Sequence, residues 1–473
     1  MTAISDKSAL KPYFRWLVLA IMSLICFAQY FIYDSVTPLG SLIKAPPAQG
    51  GLGFSGSQYG LLFSAYAVAN VFLLMLLVAG VLVDKLGLKK SGIIYGSLCF
   101  LGAALTALGA MEGLPRLLGP AYEWLRTAFL PDWSPELKVM LLGRAIYGVG
   151  AEAILVVNNK VLARWFKGKE LAFAFGLNLT IMRLGTFLAL NIQAPVAKHW
   201  GLRNALWFAA FIMLIGFSTY FMYLWLERKA RGREGAPIAE GGLAAAGTAN
   251  QPEEKFRLRE IFSFSPSFWY ISLLCVTFYS AVFPFQAYAP DILVQKFKYS
   301  EILAGTIASA LIFGTMIFTP IFGWLVDRFG KRAKLMMLGS LLIIPCHLLL
   351  GYTTIPPIIP IFVVGIALSL VPAALWAAIP MMVPENRLGT AFGVIGYIQN
   401  VGLMLFPYIA GRIADAHTTQ KVINGQNVAI VDYTSTMLMF ALLGVVGFVF
   451  ALLLKRADSR RKEGQSIDSV MRG

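Results

Sequence analysis

The chain has 473 residues, 58% of them hydrophobic and only 14% charged. That is too little charge to cover the surface of a soluble protein of this size. The net charge of +16 raises nucleic acid as a partner, but its distribution along the chain argues against one. No G-x-x-x-x-G-K-[ST] run is present, which disfavours ATP-driven chemistry.

Apolar runs of about 20 residues recur, each long enough to cross a hydrocarbon layer of about 30 Å. They are continuous rather than alternating, which predicts helices. In chain order the predicted spans are 15–38, 58–83, 91–111, 137–162, 170–192, 203–226, 267–292, 302–326, 334–354, 357–383, 388–412 and 434–454. The first run is too long for a signal h-region and lacks a clear cleavage site, so it is expected to remain as a membrane helix. The expected fold is therefore all-α, with twelve transmembrane helices in two pseudo-symmetric six-helix bundles. The first bundle covers 1–226. A cytoplasmic linker covers 227–266 and ends in a short amphipathic helix, EEKFRLREIF. The second bundle and a tail cover 267–473.

Lys and Arg crowd onto both tails and the loops near 84–90, 163–169, 227–266 and 327–334. The alternate loops hold far fewer. This positive-inside bias predicts both termini in the cytoplasm and directs the basic charge to anionic lipid, not nucleic acid. The four cysteines all fall in predicted spans and read as small buried residues. The three histidines have no metal-ligand spacing, and His347 reads as a packing residue. No metal or other cofactor is expected.

The two halves repeat. Gly80-Val-Leu-Val-Asp84-Lys85-Leu-Gly87 follows the second span, and Gly323-Trp-Leu-Val-Asp327-Arg328-Phe-Gly330 follows the eighth. A second pair is Phe175-Gly176…Arg183-Leu-Gly185 and Phe392-Gly393…Asn400-Val-Gly402. Such repeats belong to carriers with a central site between the halves. The duplicated G-x-x-x-D-(R/K)-x-G loop resembles the signature loop of the major facilitator superfamily. That resemblance implies a rocker-switch carrier in which Gly80, Asp84, Lys85, Gly87, Gly323, Asp327, Arg328 and Gly330 form a cytoplasmic gate. The alternative is a plain basic loop that only obeys topology.

Charged groups within spans are costly, about 2.5–3.5 kcal/mol at the bilayer centre, and so point to function. Five stand out: Asp34, Arg144, Glu152, Lys160 and Arg183. From a rise of about 1.5 Å per residue, Glu152 and Arg183 both lie near the midplane, and Lys160 lies roughly 12 Å nearer the cytoplasm, where it can snorkel. Glu152 and Arg183 admit two readings. One is a structural ion pair between adjacent helices. The other is a clamp for a zwitterion, with the carboxylate taking an ammonium and the guanidinium taking a carboxylate. An extended dipeptide, with termini about 6–7 Å apart, suits such a clamp, and the pair is expected to close when the site is empty. Arg144, in Arg144-Ala-Ile-Tyr-Gly148-Val-Gly150, reads mainly as structural. Asp34 is divided between a partner for Arg144 and a wall of the cavity.

Several stretches resemble a narrower family, the lysosomal dipeptide transporters. They are Tyr33-Asp34, Glu152 with Asn159, Trp165-Phe-Lys-Gly-Lys-Glu-Leu171, Arg183-Leu-Gly185, Val282-Phe-Pro-Phe285, Ala374-Leu-Trp376, Val383-Pro-Glu385, Leu388-Gly-Thr-Ala-Phe-Gly393 and Ile398-Gln-Asn-Val-Gly402. The resemblance implies dipeptide transport, with Glu152 on the substrate amine and Arg183 on its carboxylate. Trp376 and Asn400 would line the opposite wall. The N-terminus lacks an acidic dileucine signal, and the loops are compact, so a bacterial cytoplasmic membrane is expected. The first span lacks a Glu-x-x-Glu-Arg cluster. Facilitated diffusion by a monomer is therefore expected, with proton coupling through Glu152 or Asp34, or an organic-anion cargo, as the alternatives. A membrane-embedded enzyme would need a catalytic cluster that the sequence does not show.

Overall fold

A computed structural model describes residues 13–166, 170–234, 264–384, 387–423, 426–459 and 466–468. Its helices are α1 (Tyr13–Asp34), α2 (Gly40–Lys44), α3 (Gly56–Phe72), α4 (Met75–Gly109), α5 (Leu114–Leu118), α6 (Pro120–Thr127) and α7 (Pro135–Phe166). They continue as α8 (Leu171–Glu234), α9 (Pro266–Phe297), α10 (Glu301–Phe329), α11 (Arg332–Tyr352), α12 (Ile358–Ala378), α13 (Leu388–Ala416) and α14 (Thr434–Asp458). An antiparallel hairpin, β1 (Thr418–Ile423) with β2 (Gln426–Val431), separates α13 from α14 and pairs Thr418 with Val431. The expected amphipathic helix at the end of the linker lies outside the described residues.

Among the described residues, ten helical stretches are long and apolar enough to cross a membrane. Two expected loops are sharp bends instead. The expected fifth and sixth spans are the two helical segments of α8, which meet at a non-helical kink at Gly201 (φ 83°). The second and third share α4, which turns at Gly87. The second span is itself broken at Leu74, where the backbone turns left-handed (φ 50°) before α4 begins. At such bends hydropathy gives no sign of whether the hydrogen-bonded ladder stops.

Gly87 and Gly330 are equivalent in the two repeats, and both have positive φ, 75° and 61°. A side chain would clash with the backbone in that conformation, which accounts for a glycine in both copies. Outward-facing Leu142, Phe211 and Leu442 are exposed, as helices in hydrocarbon require. One buried core lies within the first half, around Ile25, Tyr147 and Met213. A second gathers α9–α14 and extends into the first half through Tyr59, Leu62 and Leu190.

Asp84 lies near Lys160, and Arg15 near Glu170, so these groups share one end of the bundle, here the motif end. The hydrogen bonds that join the halves cluster at the opposite, distal end. Ser55 caps α3 in a reciprocal box with Gln58, leaving the amides of Gly56 and Ser57 to donate to Asp415 at the end of α13, at 2.5 and 2.8 Å. A carboxylate on a helix N-terminus is doubly favoured, by charge-assisted bonds and by the helix dipole. Tyr59 donates to the Ala287 carbonyl (2.9 Å), and Tyr288 donates to that of Gly56 (2.8 Å). Lys44 pairs with Asp291, which also accepts from Tyr433. A Cβ on Gly60 would lie 2.2 Å from the Pro407 carbonyl, so α3 and α13 touch backbone to backbone. The two halves are closed against each other at the distal end.

Candidate functional site

The central groups stand on α1, α7 and α8 in the first half and on α9, α12 and α13 in the second. Gln29 donates to the Ala151 carbonyl at 3.0 Å, placing Tyr30 and Glu152 at one level. A Cβ on Gly185 would meet the Phe27 carbonyl at 2.3 Å, which brings Arg183 to the same region of α1. The shared depth of Glu152 and Arg183 thus follows from two packing contacts. Their helices, however, are not neighbours at this level: α1 passes between them. Helices consecutive in sequence were expected to face each other, but the bundle inserts the first helix between the fourth and fifth spans.

Glu152 is half-buried and accepts from the Tyr66 hydroxyl at 2.7 Å. Tyr66 meets Tyr33 edge to face at 5.0 Å. Arg183 is also half-buried. Its guanidinium lies 5.8 Å from the centre of the Tyr30 ring and forms no ion pair or hydrogen bond with the described residues. The expected closed Glu152–Arg183 pair is absent among the described ion pairs, because Tyr66 occupies one carboxylate oxygen and α1 intervenes. What remains is a pair of opposite charges, separated and accessible.

The facing wall holds Trp376, whose indole donates to the Tyr279 hydroxyl at 3.1 Å and whose ring stacks on Phe392 at 6.0 Å. Tyr279 stacks on Phe283 and lies within electrostatic reach of Arg183 and Tyr30, so it looks across the seam between the halves. Asn159, exposed, is two turns beyond Glu152 on the same face of α7.

Two expected residues are placed differently. Asn400 is 5% exposed, and its amide donates to the Gly396 carbonyl of its own helix at 3.0 Å. It shares a face of α13 with Pro407 and Gly411, the positions pressed onto α3, so it sits in the seam and not on an open wall. Asp34 is 3% exposed and forms no ion pair with Arg144 among the described residues: Gln286 of the other half donates to it at 2.9 Å. Lys160 lies toward the motif end, where it donates to Asp84 at 2.5 Å.

Arg144, 1% exposed, donates to the carbonyls of Leu62 (2.8 Å), Ile32 (3.1 Å) and Tyr33 (3.0 Å). All of its partners are backbone, so it ties α7 to α1 and α3. His347 packs between Phe285 and Phe440, although neither ring nitrogen has a hydrogen-bond partner.

At the motif end Asp84 pairs within its own half, while Lys85, Asp327 and Arg328 are exposed. Arg328 lies over Trp324 at 5.2 Å. Near the second loop the Asp468 carboxylate accepts from the Ala333 amide (2.7 Å), and Arg332 donates to the Ile467 carbonyl (3.0 Å).

The sequence profile of the Major Facilitator Superfamily matches residues 16–293 and 285–469. The chain belongs to that superfamily. It is 29% identical over 427 residues to the lysosomal dipeptide transporter MFSD1 of Homo sapiens, covering 88% of this chain and 83% of the relative. It is 23% identical to the proline/betaine transporter of Escherichia coli (strain K12), covering 70% and 65%. It is also 23% identical to the probable anion transporter 4, chloroplastic, of Oryza sativa subsp. japonica, covering 70% and 51%. Two solved structures share the fold. They are the nucleoside transporter NupG (TM-score 0.66, 16% identity, 94% of this chain and all of that one) and a bacterial homologue of human Spinster in an inward-facing, occupied conformation (TM-score 0.64, 16% identity, 96% and 100%). A multi-pass membrane carrier of small molecules is thus the class to which this protein belongs.

Proposed function

We propose that this carrier moves small zwitterionic peptides, chiefly dipeptides, across a bacterial cytoplasmic membrane by alternating access, as a monomer and by facilitated diffusion. The observation that carries the reading is the separated pair: an accessible Arg183 guanidinium without a polar partner among the described residues, and a Glu152 carboxylate with a single described hydrogen bond, on opposite sides of α1. Two opposite charges kept apart suit a ligand whose own opposite charges are separated by about 6–7 Å. They suit less well a single anion, which would leave the carboxylate facing it. The named function of the MFSD1 relatives agrees with this cargo. Trp376 and Tyr279 offer an aromatic wall for the peptide side chain, and Asn159 lies on the approach from the motif end.

The Gly80–Gly87 and Gly323–Gly330 loops are assigned to the gate that closes when the distal seal opens. Asp84 would exchange Lys160 for partners on the other half.

Uptake into liposomes, with thermal stabilisation across dipeptides, free amino acids, tripeptides and organic acids, tests the cargo. Stabilisation by dipeptides supports it, and stabilisation by amino acids or organic acids alone rejects it. A second reading, an organic-anion carrier, is favoured by the unpartnered Arg183 and by the likeness to a probable anion transporter. It requires that Glu152→Gln leave transport intact.

A further inference from the structure

Between the two charges stands a third polar group. Tyr30 lies on α1 at the level of both, its ring beneath the Arg183 guanidinium. Arg183 and Glu152 both act electrostatically on its phenol. The residue is only half-buried. Its hydroxyl has no hydrogen-bond partner among the described residues, and it is not one of the buried, orphaned polar atoms. It is therefore open, unlike Tyr66, Tyr59 and Tyr147, whose hydroxyls are all engaged.

We propose that Tyr30 is a specificity-determining residue that reads the peptide group of the substrate. The inference rests on the dipeptide reading of Glu152 and Arg183. A zwitterion stretched between them lays its central atoms across α1, where Tyr30 stands. In a dipeptide those atoms are an amide with one donor and one acceptor, and a hydroxyl can serve either. In a flexible amino acid of equal length they are methylenes. A site built to hydrogen-bond a polar group discriminates against an analogue that lacks it, because the site's own polar group is then left unpaired.

Glycylglycine and 5-aminopentanoate have the same number of atoms between ammonium and carboxylate, and only the first has a peptide group. Their dissociation constants would be measured by calorimetry on the purified full chain, wild type and Tyr30→Phe. Phenylalanine keeps the ring beneath Arg183 and removes only the hydroxyl. The wild type is expected to prefer glycylglycine by about tenfold or more, equivalent to about 1.4 kcal/mol. Tyr30→Phe is expected to bring the ratio near one by weakening glycylglycine alone. An unchanged ratio in the variant overturns the assignment.

Should the variant fold poorly, the wild type alone decides the question. Equal affinity for the two ligands means that the clamp measures charge separation and Tyr30 reads nothing. Binding of neither ligand removes the dipeptide reading itself, and Tyr30's role with it.

Discussion

The Asp415 carboxylate accepts the Ser57 amide across the seam between the halves at 2.8 Å. This bond, with its partner to Gly56, fixes the N-terminus of α3 to the end of α13 in the distally sealed state. In the proposed alternating-access cycle this bond must break when the distal end opens, so it would bias the equilibrium between the two states without touching substrate. Asp415→Asn keeps the shape and removes the charge, which weakens a charge-assisted contact by about 1 kcal/mol. The expected outcome is a larger distally open population, measured by spin-label distances between the distal ends of α3 and α13. An unchanged distance distribution would mean that the other bonds across the seam, from Tyr59, Tyr288, Gln286 and Lys44, hold the seal without Asp415.

Arg144 is the structural pin of the first half. Arg144→Leu removes three buried charge-assisted bonds, to the Leu62, Ile32 and Tyr33 carbonyls, at a cost of about 2–4 kcal/mol. Thermal unfolding in detergent should show a marked fall in midpoint even without ligand. Lysine should rescue only partly, since it cannot reproduce the planar fork. A ligand-free midpoint equal to the wild type would move Arg144 into the transport machinery.

Lys160 and Asp84 form a part-exposed pair, with side-chain exposures of 24% and 54%. Such pairs contribute little stability, under about 1 kcal/mol. Asp84→Asn is therefore expected to leave the unfolding midpoint nearly unchanged while slowing transport, if Asp84 changes partners during the cycle. Reversing the pair, Asp84→Lys with Lys160→Asp, should likewise leave the midpoint nearly unchanged and should not restore the rate. Full transport in Asp84→Asn would make the motif a topological signal only.

Most of the membrane architecture was legible because hydrocarbon thickness fixes the length of an apolar run, and the duplicated glycine–aspartate loop marks the internal repeat. That a one-residue kink and not a loop joins two helices, as at Gly201, was not legible, nor was the insertion of α1 between α7 and α8. Spatial order in a bundle depends on packing, which hydropathy does not record. The hairpin of β1 and β2 carries a local sequence signal, Asn424-Gly425 between two short runs rich in Val, Ile and Thr, the composition of a tight β-turn. The depth of Glu152 and Arg183 followed from helix rise alone. Tyr66 and Tyr30 did not stand out, since tyrosines in apolar helices are ordinary until their hydroxyls are seen. Asp34 and Asn400 looked like cavity residues because they are polar, but a buried polar group can equally bind the other half, as Asp34 does through Gln286, or its own helix, as Asn400 does through Gly396.

The central claim is that Glu152 and Arg183 grip the two ends of one zwitterion. The most direct test is dipeptide uptake by proteoliposomes containing wild type, Glu152→Gln, Arg183→Lys and the double variant, with protein folding checked by ligand-free unfolding. The account predicts that each single change reduces uptake at least tenfold with little change in the ligand-free midpoint, because the two groups are not paired with each other. It also predicts that an N-acetylated dipeptide, which has no ammonium, is not taken up by the wild type. Normal uptake in both single variants, or a large loss of ligand-free stability in each, would contradict it.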